Sequence, residues 1–268
     1  MLYLNALYRY PVKSMTPEPL ERALIDTLGI AGDRRWMVVD AATGRFLTQR
    51  LLPAMGKIEA RWEGWEKLLL RAPGMPDLCV DVPSADDALR GVTVWSDSFQ
   101  VPDAGVEANR WLSAFLERAC QLVYMPEGRA RQVDTNYAEI GEKVHFGDGF
   151  PLLLIGQGSL EDVSQRVGRS LDVRRFRPNL VIEGSEAFAE DDWKRLRIGT
   201  VDFRVAKPCS RCIMTTIDPL TNVRDPDREP LATLKTYRER EGAIYFGQNL
   251  VPLNCGALSV GMPVEILE

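Results

Sequence analysis

Histidine is almost missing from this chain. His145 is the single one in 268 residues, which excludes a multi-histidine zinc centre, a His-Glu-x-x-His protease site and a two-histidine iron site. A Ser-His-Asp or Cys-His machine would have to rest on His145 alone. That residue sits in Lys143-Val144-His145-Phe146-Gly147-Asp148-Gly149, which reads as a strand end running into a turn, so a surface or half-buried structural histidine is the expectation. Cysteine is sparse and odd in number: Cys79, Cys120, Cys209, Cys212 and Cys255. Such a count fits a reduced, cytoplasmic setting better than a disulfide scaffold. No apolar run approaches the length of a membrane span. The start, Met1 to Tyr10, has no basic lead and reads as a strand rather than a signal peptide. A net charge of −5 argues against a general nucleic-acid binder, which is normally basic.

What is present is ordinary for a soluble globular chain: 45% hydrophobic and 26% charged residues. The length allows one large domain or two modest ones. Short runs dominate, punctuated by turns. Residues 1–12 predict a first strand ending at Pro11, and 34–40 and 45–50 predict a hairpin around Ala41–Gly44. Strands are also expected over 56–62, 67–72, 78–82, 92–97 and 99–101. Regular short strands of this kind predict a small antiparallel barrel or sandwich. From Glu107 to Cys120 the period changes to helical, with Trp111, Leu112, Phe115, Leu116 and Ala119 on one face. The domain boundary is placed there, giving 1–122 and 123–268.

The second half mixes types. Pro151–Ile155 predicts a buried strand, and Gly156-Gln157-Gly158-Ser159 a turn into a helix over Leu160–Val167 with Ser159 as N-cap. A helix start behind such a loop is a ready anion site. Arg174-Arg175-Phe176-Arg177 reads as a solvated rim or as an anion pocket. Helices are expected over 185–196 and 230–240. The fold class expected is mostly β (α+β): two β-barrel-like domains with peripheral helices.

The chemistry is placed at Lys207-Pro208-Cys209-Ser210-Arg211-Cys212, with Thr215, Thr216 and Asp218 behind it. The alternating run 200–205 predicts a strand leading in, and Pro208 is expected to stop it, having no N–H for a ladder. Two thiols beside two cations have several readings: a redox disulfide, half of a zinc site with Cys255 as a third thiol, a soft-metal ligand, or two small buried hydrophobes.

Several motifs occur together in fixed order. They are Tyr10-Pro11-Val12-Lys13-Ser14, Gly32-Asp33-Arg34-Arg35-Trp36, Arg177-Pro178-Asn179, the Lys207–Cys212 run with Thr215-Thr216-Ile217-Asp218-Pro219, Glu229-Pro230-Leu231 with Leu234-Lys235, and Phe246-Gly247-Gln248-Asn249. In these the whole chain resembles MOSC-domain proteins, in particular the bacterial YcbX-type proteins and the mitochondrial amidoxime reducing component. The resemblance implies an N-terminal MOSC β-barrel domain followed by a MOSC domain that binds a molybdenum cofactor (Mo-molybdopterin). It implies an oxidoreductase that reduces N-hydroxylated small molecules such as amidoximes, hydroxylamines and N-hydroxylated bases. Cys212 would be the metal ligand, and Asp218 a proton partner. Lys13, Ser14, Arg34, Arg177, Asn179, Ser210 and Asn249 would hold the cofactor. So would the loop Gln157, Gly158 and Ser159, which here departs from the family's usual Glu-Ala-Ser. Many YcbX-type proteins carry a ferredoxin-like domain, and none follows Leu267-Glu268. No haem and no iron–sulfur cluster is therefore expected in this chain, and a separate ferredoxin, cytochrome or flavoprotein would donate the electrons. The alternative implied by related cofactor sulfurases is a sulfur carrier with a cysteine persulfide.

Overall fold

The computed structural model describes residues 1–85 and 87–268. Among the described residues the chain is mostly β, with three α-helices: α1 (Val106–Leu116), α2 (Gln157–Val167) and α3 (Leu231–Arg238). Its centre is a nine-stranded sheet. In spatial order the strands are Glu18–Leu20, Tyr3–Arg9, Leu180–Glu183, Leu152–Gly156, Ala243–Pro252, Val201–Ser210, Arg195–Ile198 and Val264–Ile266. The ninth, Glu239–Arg240, pairs with Ala243–Pro252.

Most of these pairs are antiparallel. The exception is Leu152–Gly156 beside Leu180–Glu183, and α2 supplies the crossover that two parallel strands need. Strand Leu152–Gly156 is buried throughout, as its unbroken apolar sequence requires. Smaller sheets surround this one: Trp36–Asp40 with Cys120–Tyr124, Glu59–Glu63 with Lys67–Arg71 and Leu78–Asp81, and Leu89–Val94 with Asp97–Pro102. The order of the large sheet runs from Glu18–Leu20 to Val264–Ile266 without those two strands pairing, so no closed barrel is formed among the described residues.

The chain halves are interleaved. The first long strand, Tyr3–Arg9, pairs with Leu180–Glu183, and Arg22–Asp26 pairs with Gly256–Ser259. Leu4 and Leu7 consequently share one core with Leu152, Leu154, Leu180 and Ile182. A second core gathers Trp36, Met55, Leu68, Leu70, Leu112 and Leu122 under α1.

Four local expectations are corrected. Strand Val201–Ser210 passes through Pro208 instead of stopping there, with register shifts on either side. Its neighbour Arg195–Ile198 reaches only as far as Arg204, so the far edge beyond is open, where proline's missing N–H deprives no ladder. Residues 185–196 hold a short 3-10 turn, Ala189–Asp191, and then strand, not a helix. Helix α2 starts at Gln157, and Ser159 lies within it instead of capping it. Residues 45–50 form no strand beyond isolated bridges at Arg45 and Phe46; they loop inward instead.

Candidate functional site

A cleft of about 140 Å³ opens where the large sheet meets the N-terminal loops. Lys13, Ser14, Arg34, Arg177, Asn179, Ser210, Cys212 and Asn249 all line it, although they come from five separate stretches of sequence. The bulged end of strand Val201–Ser210 carries Cys209 and Ser210 to its wall. The following turn, Ile213–Thr216, begins at Cys212. Asn249, on the neighbouring strand, donates to the carbonyls of Lys207 and Pro208 at 3.3 and 3.4 Å and so braces that bulge. The Cys212 side is exposed, and Cys209 is half-buried.

Three of the lining residues have left-handed backbones although none is glycine: Ser14 (φ 69°), Arg34 (φ 46°) and Arg177 (φ 57°). Each such conformation costs about 1 kcal/mol or more, and strain of this kind gathers at working sites. At Arg177 the left-handed turn ends the 3-10 segment Val173–Phe176 and sets up the strand from Leu180.

Charge is concentrated here. Lys13, Arg34, Arg50, Arg175, Arg177 and Arg211 line the cleft with one carboxylate, Asp148, in a chain whose net charge is −5. Lys13 donates to Asp148 at 2.5 Å and to the Phe146 carbonyl at 2.8 Å. Burial pulls the Lys13 ammonium below its ordinary pKa, against the pull of Asp148. The low-dielectric cleft wall works against ionisation of Asp148, but that side chain is 70% exposed, and Lys13, Arg50 and Arg34 hold its carboxyl below the usual range. Arg34 pairs with Asp33, and Arg175 with Asp218 at 2.6 Å. Arg50, Arg177 and Arg211 have no carboxylate partner among the described residues. The buried Nη2 of Arg177 and the buried Nε of Arg50 and Arg211 have no hydrogen-bond partner among the described residues. Burial, with Arg34 close by, lowers the Arg177 pKa to about 10. Unanswered buried donors facing a positive cleft call for an anion.

The remaining predicted residues lie elsewhere. The Gln157–Ser159 turn does not line the cleft. Ser159 is fully buried and donates to Glu190 at 2.8 Å, while Gly158 lies so close to the Ser185 carbonyl that a side chain would overlap it. Asp218 also stands outside the lining and reaches it through Arg175; two backbone N–H groups, of Leu220 and Thr221, hold its other oxygen. His145 is 2% exposed, not a surface residue. Burial drops its pKa to about 3, so it stays neutral. Among the described residues no three Cys, His, Asp or Glu side chains come together as a metal cage, and Cys255 is not part of this cleft. Thr48, Arg50 and Asp148 line the cleft without having been singled out. The Gly-Asp-Gly turn was a usable signal for Asp148; nothing local in the sequence marks Arg50.

A model of the MOSC N-terminal beta barrel domain matches residues 1–119, and a model of the MOSC domain matches residues 141–265. The chain is 34% identical over 278 residues to mitochondrial amidoxime-reducing component 1 of Mus musculus, across 97% of this chain and 81% of that protein. It is 34% identical to mitochondrial amidoxime reducing component 2 of Bos taurus, across 97% and 82%. It is 31% identical to molybdenum cofactor sulfurase of Oryza sativa subsp. japonica, across 92% of this chain but only 32% of that protein.

Proposed function

Since this chain belongs to the MOSC family and is homologous along its length to the mitochondrial amidoxime-reducing components, we propose that it is a molybdenum-cofactor-dependent oxidoreductase. Its substrates are N-hydroxylated compounds: amidoximes, hydroxylamines and N-hydroxylated bases. A separate ferredoxin, cytochrome or flavoprotein reductase donates the electrons. The observation that carries this reading is the exposed Cys212 thiol on a cleft lined by six cations, some of whose buried donors have no partner. A thiolate suits a soft metal, and guanidinium forks suit a phosphate.

The residues present fit that cofactor. Cys212 would ligate the metal. Lys13, Ser14, Arg34, Arg177, Asn179, Ser210 and Asn249 would surround the pterin and its phosphate, with Arg50 and Arg211 added on the geometry. When bound, the cofactor supplies a two-electron redox centre that can take up the oxygen of an N–O bond. Over the whole reaction, R–NH–OH with two electrons and two protons gives R–NH2 and water. The protein's own share is positioning and charge. We give Asp218 a positioning role through Arg175. The family's helix-turn loop, Gln157 to Ser159, is assigned to packing in this chain. Domain limits of 1–122 and 123–268 remain our division of the sequence. We place the protein in a reducing, cytoplasmic setting, a reading that rests on its sparse and odd cysteine count.

Purified protein should contain molybdenum and reduce a model amidoxime with reduced methyl viologen as donor. Cys212→Ser should lower turnover by more than about 100-fold, since even outer-sphere changes at metal sites reach that size. Full turnover of the loaded variant would refute the ligand assignment. A second reading, a persulfide carrier, draws on the cleft's two thiols and the similarity to a cofactor sulfurase. Intact-mass detection of a persulfide on protein free of molybdenum would favour it.

A further inference from the structure

Tyr10 has no hydrogen-bonding role in the cleft, yet it touches both of the arginines that face it most closely. Its ring is fully buried, with the guanidinium carbons of Arg34 and Arg177 each 4.2 Å from its centroid. Its hydroxyl donates to the Pro178 carbonyl at 2.9 Å, between Arg177 and Asn179. Its backbone N–H donates to Asp33 at 2.7 Å, and its carbonyl accepts from the Arg34 N–H at 2.7 Å. One residue is thus bonded to the backbone on both sides of the cleft wall.

Arg34 also reaches the backbone of the other arginine: its Nη2 donates to the Arg177 carbonyl at 3.4 Å. With both guanidiniums against one ring, these two like charges repel each other. Asp33 neutralises Arg34, but Arg177 has no carboxylate, and the left-handed backbones of both arginines add strain. Asn179 holds Arg34 at 2.9 Å and the Met15 carbonyl holds Arg177 at 2.9 Å, but neither neutral acceptor removes the repulsion between the pair before an anion arrives. An aromatic ring with its negative faces toward both cations does this without supplying a competing carboxylate.

We propose that Tyr10 is a positioning residue: its π-face preorganises Arg34 and Arg177 into an anion clamp on the cleft wall, ready for a phosphate-bearing ligand. Under the function proposed above that ligand is the cofactor's phosphate end. The clamp itself, however, is a property of the ring and the two arginines. An ordinary core tyrosine would matter through its volume and its hydroxyl; here the ring's electron density matters.

The test uses the full-length chain in two forms. Cofactor-free protein is titrated with inorganic phosphate, and molybdenum per chain is measured by elemental analysis on loaded protein. Tyr10→Phe should lose some thermal stability but keep phosphate affinity and molybdenum content. Tyr10→Leu should weaken phosphate binding roughly tenfold, from two lost cation–π contacts, with molybdenum content falling alongside. If Tyr10→Leu does not fold, a series of phenylalanine and progressively fluorinated phenylalanines at position 10 keeps the shape while draining the π-face. Affinity should then fall stepwise with fluorination. Equal phosphate affinity across that series, or wild-type binding by Tyr10→Leu, overturns the proposal. Wild-type protein that never holds molybdenum but binds phosphate in a Tyr10-dependent way would instead sink the cofactor reading and leave the clamp standing.

Discussion

Asn179 shows how a single residue can be read correctly in place and still surprise in its bonding. It lines the cleft, as the Arg-Pro-Asn motif implied, yet its side chain is tied into the protein. Its Oδ1 accepts from Arg34 at 2.9 Å and from the Leu153 N–H at 3.2 Å, and its Nδ2 donates to the Tyr8 carbonyl at 3.1 Å. Asn179→Ala would strand the buried Leu153 N–H and the part-buried Tyr8 carbonyl and free Arg34. The expected loss is about 2–6 kcal/mol of stability in denaturant unfolding, at roughly 1–3 kcal/mol per unsatisfied group. A variant within about 0.5 kcal/mol of wild type would show that water replaces these bonds. Lys13, Arg34 and Arg177 were legible because each stands in a motif. Arg50 was not: the stretch that carries it read as the second arm of a hairpin around Ala41–Gly44, and only its place in the cleft lining, with Trp95 5.0 Å from the guanidinium, shows where it goes.

At the scale of elements, helix α2 was legible in its body and misread at its start. Ser159 has the right chemistry for a cap, but an acid from outside the helix claims it. Glu190 is fully buried, accepts from Ser159 and from the Gly156 N–H at 3.1 Å, and so joins α2 to the Ala189–Asp191 turn. Burial raises its pKa, although those donors oppose the rise. The sign follows. The folded state holds the proton to higher pH than the unfolded chain, whose glutamate titrates near about 4.3. Stability from this group is therefore full below that value and is lost as pH climbs through the raised folded pKa. Glu190→Gln should flatten that part of the curve. Melting temperatures of both proteins from pH 4 to 7 should show wild type losing ground to the variant as pH rises; a constant gap would mean that the carboxyl is not raised. Strand Val201–Ser210 carries a matching lesson, because a proline rule written for central strands fails where the neighbour stops short.

The whole molecule is less divisible than its sequence. Reading along the chain, a boundary near residue 122 separates short strands from a mixed half. In space, Tyr3–Arg9 lies between Glu18–Leu20 and Leu180–Glu183. Leu4 and Leu7 bury fully against the C-terminal strands, a contribution of about 1.5–3 kcal/mol each. A fragment of residues 123–268 would lose that strand and uncover Leu180 and Ile182. It should show no cooperative thermal transition, whereas the full chain should show one by circular dichroism. A fragment that melts sharply and stays monomeric in sedimentation would mean that the two parts fold independently.

Composition and periodicity by themselves gave the predominance of β structure and the poverty in histidine that removes whole classes of catalyst, while motifs in fixed order, through their resemblance to MOSC-domain proteins, implied the family and eight of the positions found on the cleft. These are properties of residue type and local spacing, which a linear string records. Tertiary structure alone decided that Ser159 bonds to Glu190 and that Gln157–Ser159 lies off the cleft lining, that Asp218 stands behind Arg175, that Arg50 and Asp148 line the cleft, and that Tyr10 touches two arginines at once. Each of these depends on which distant segment occupies the space next door, and contact across a fold has no period that a sequence can display.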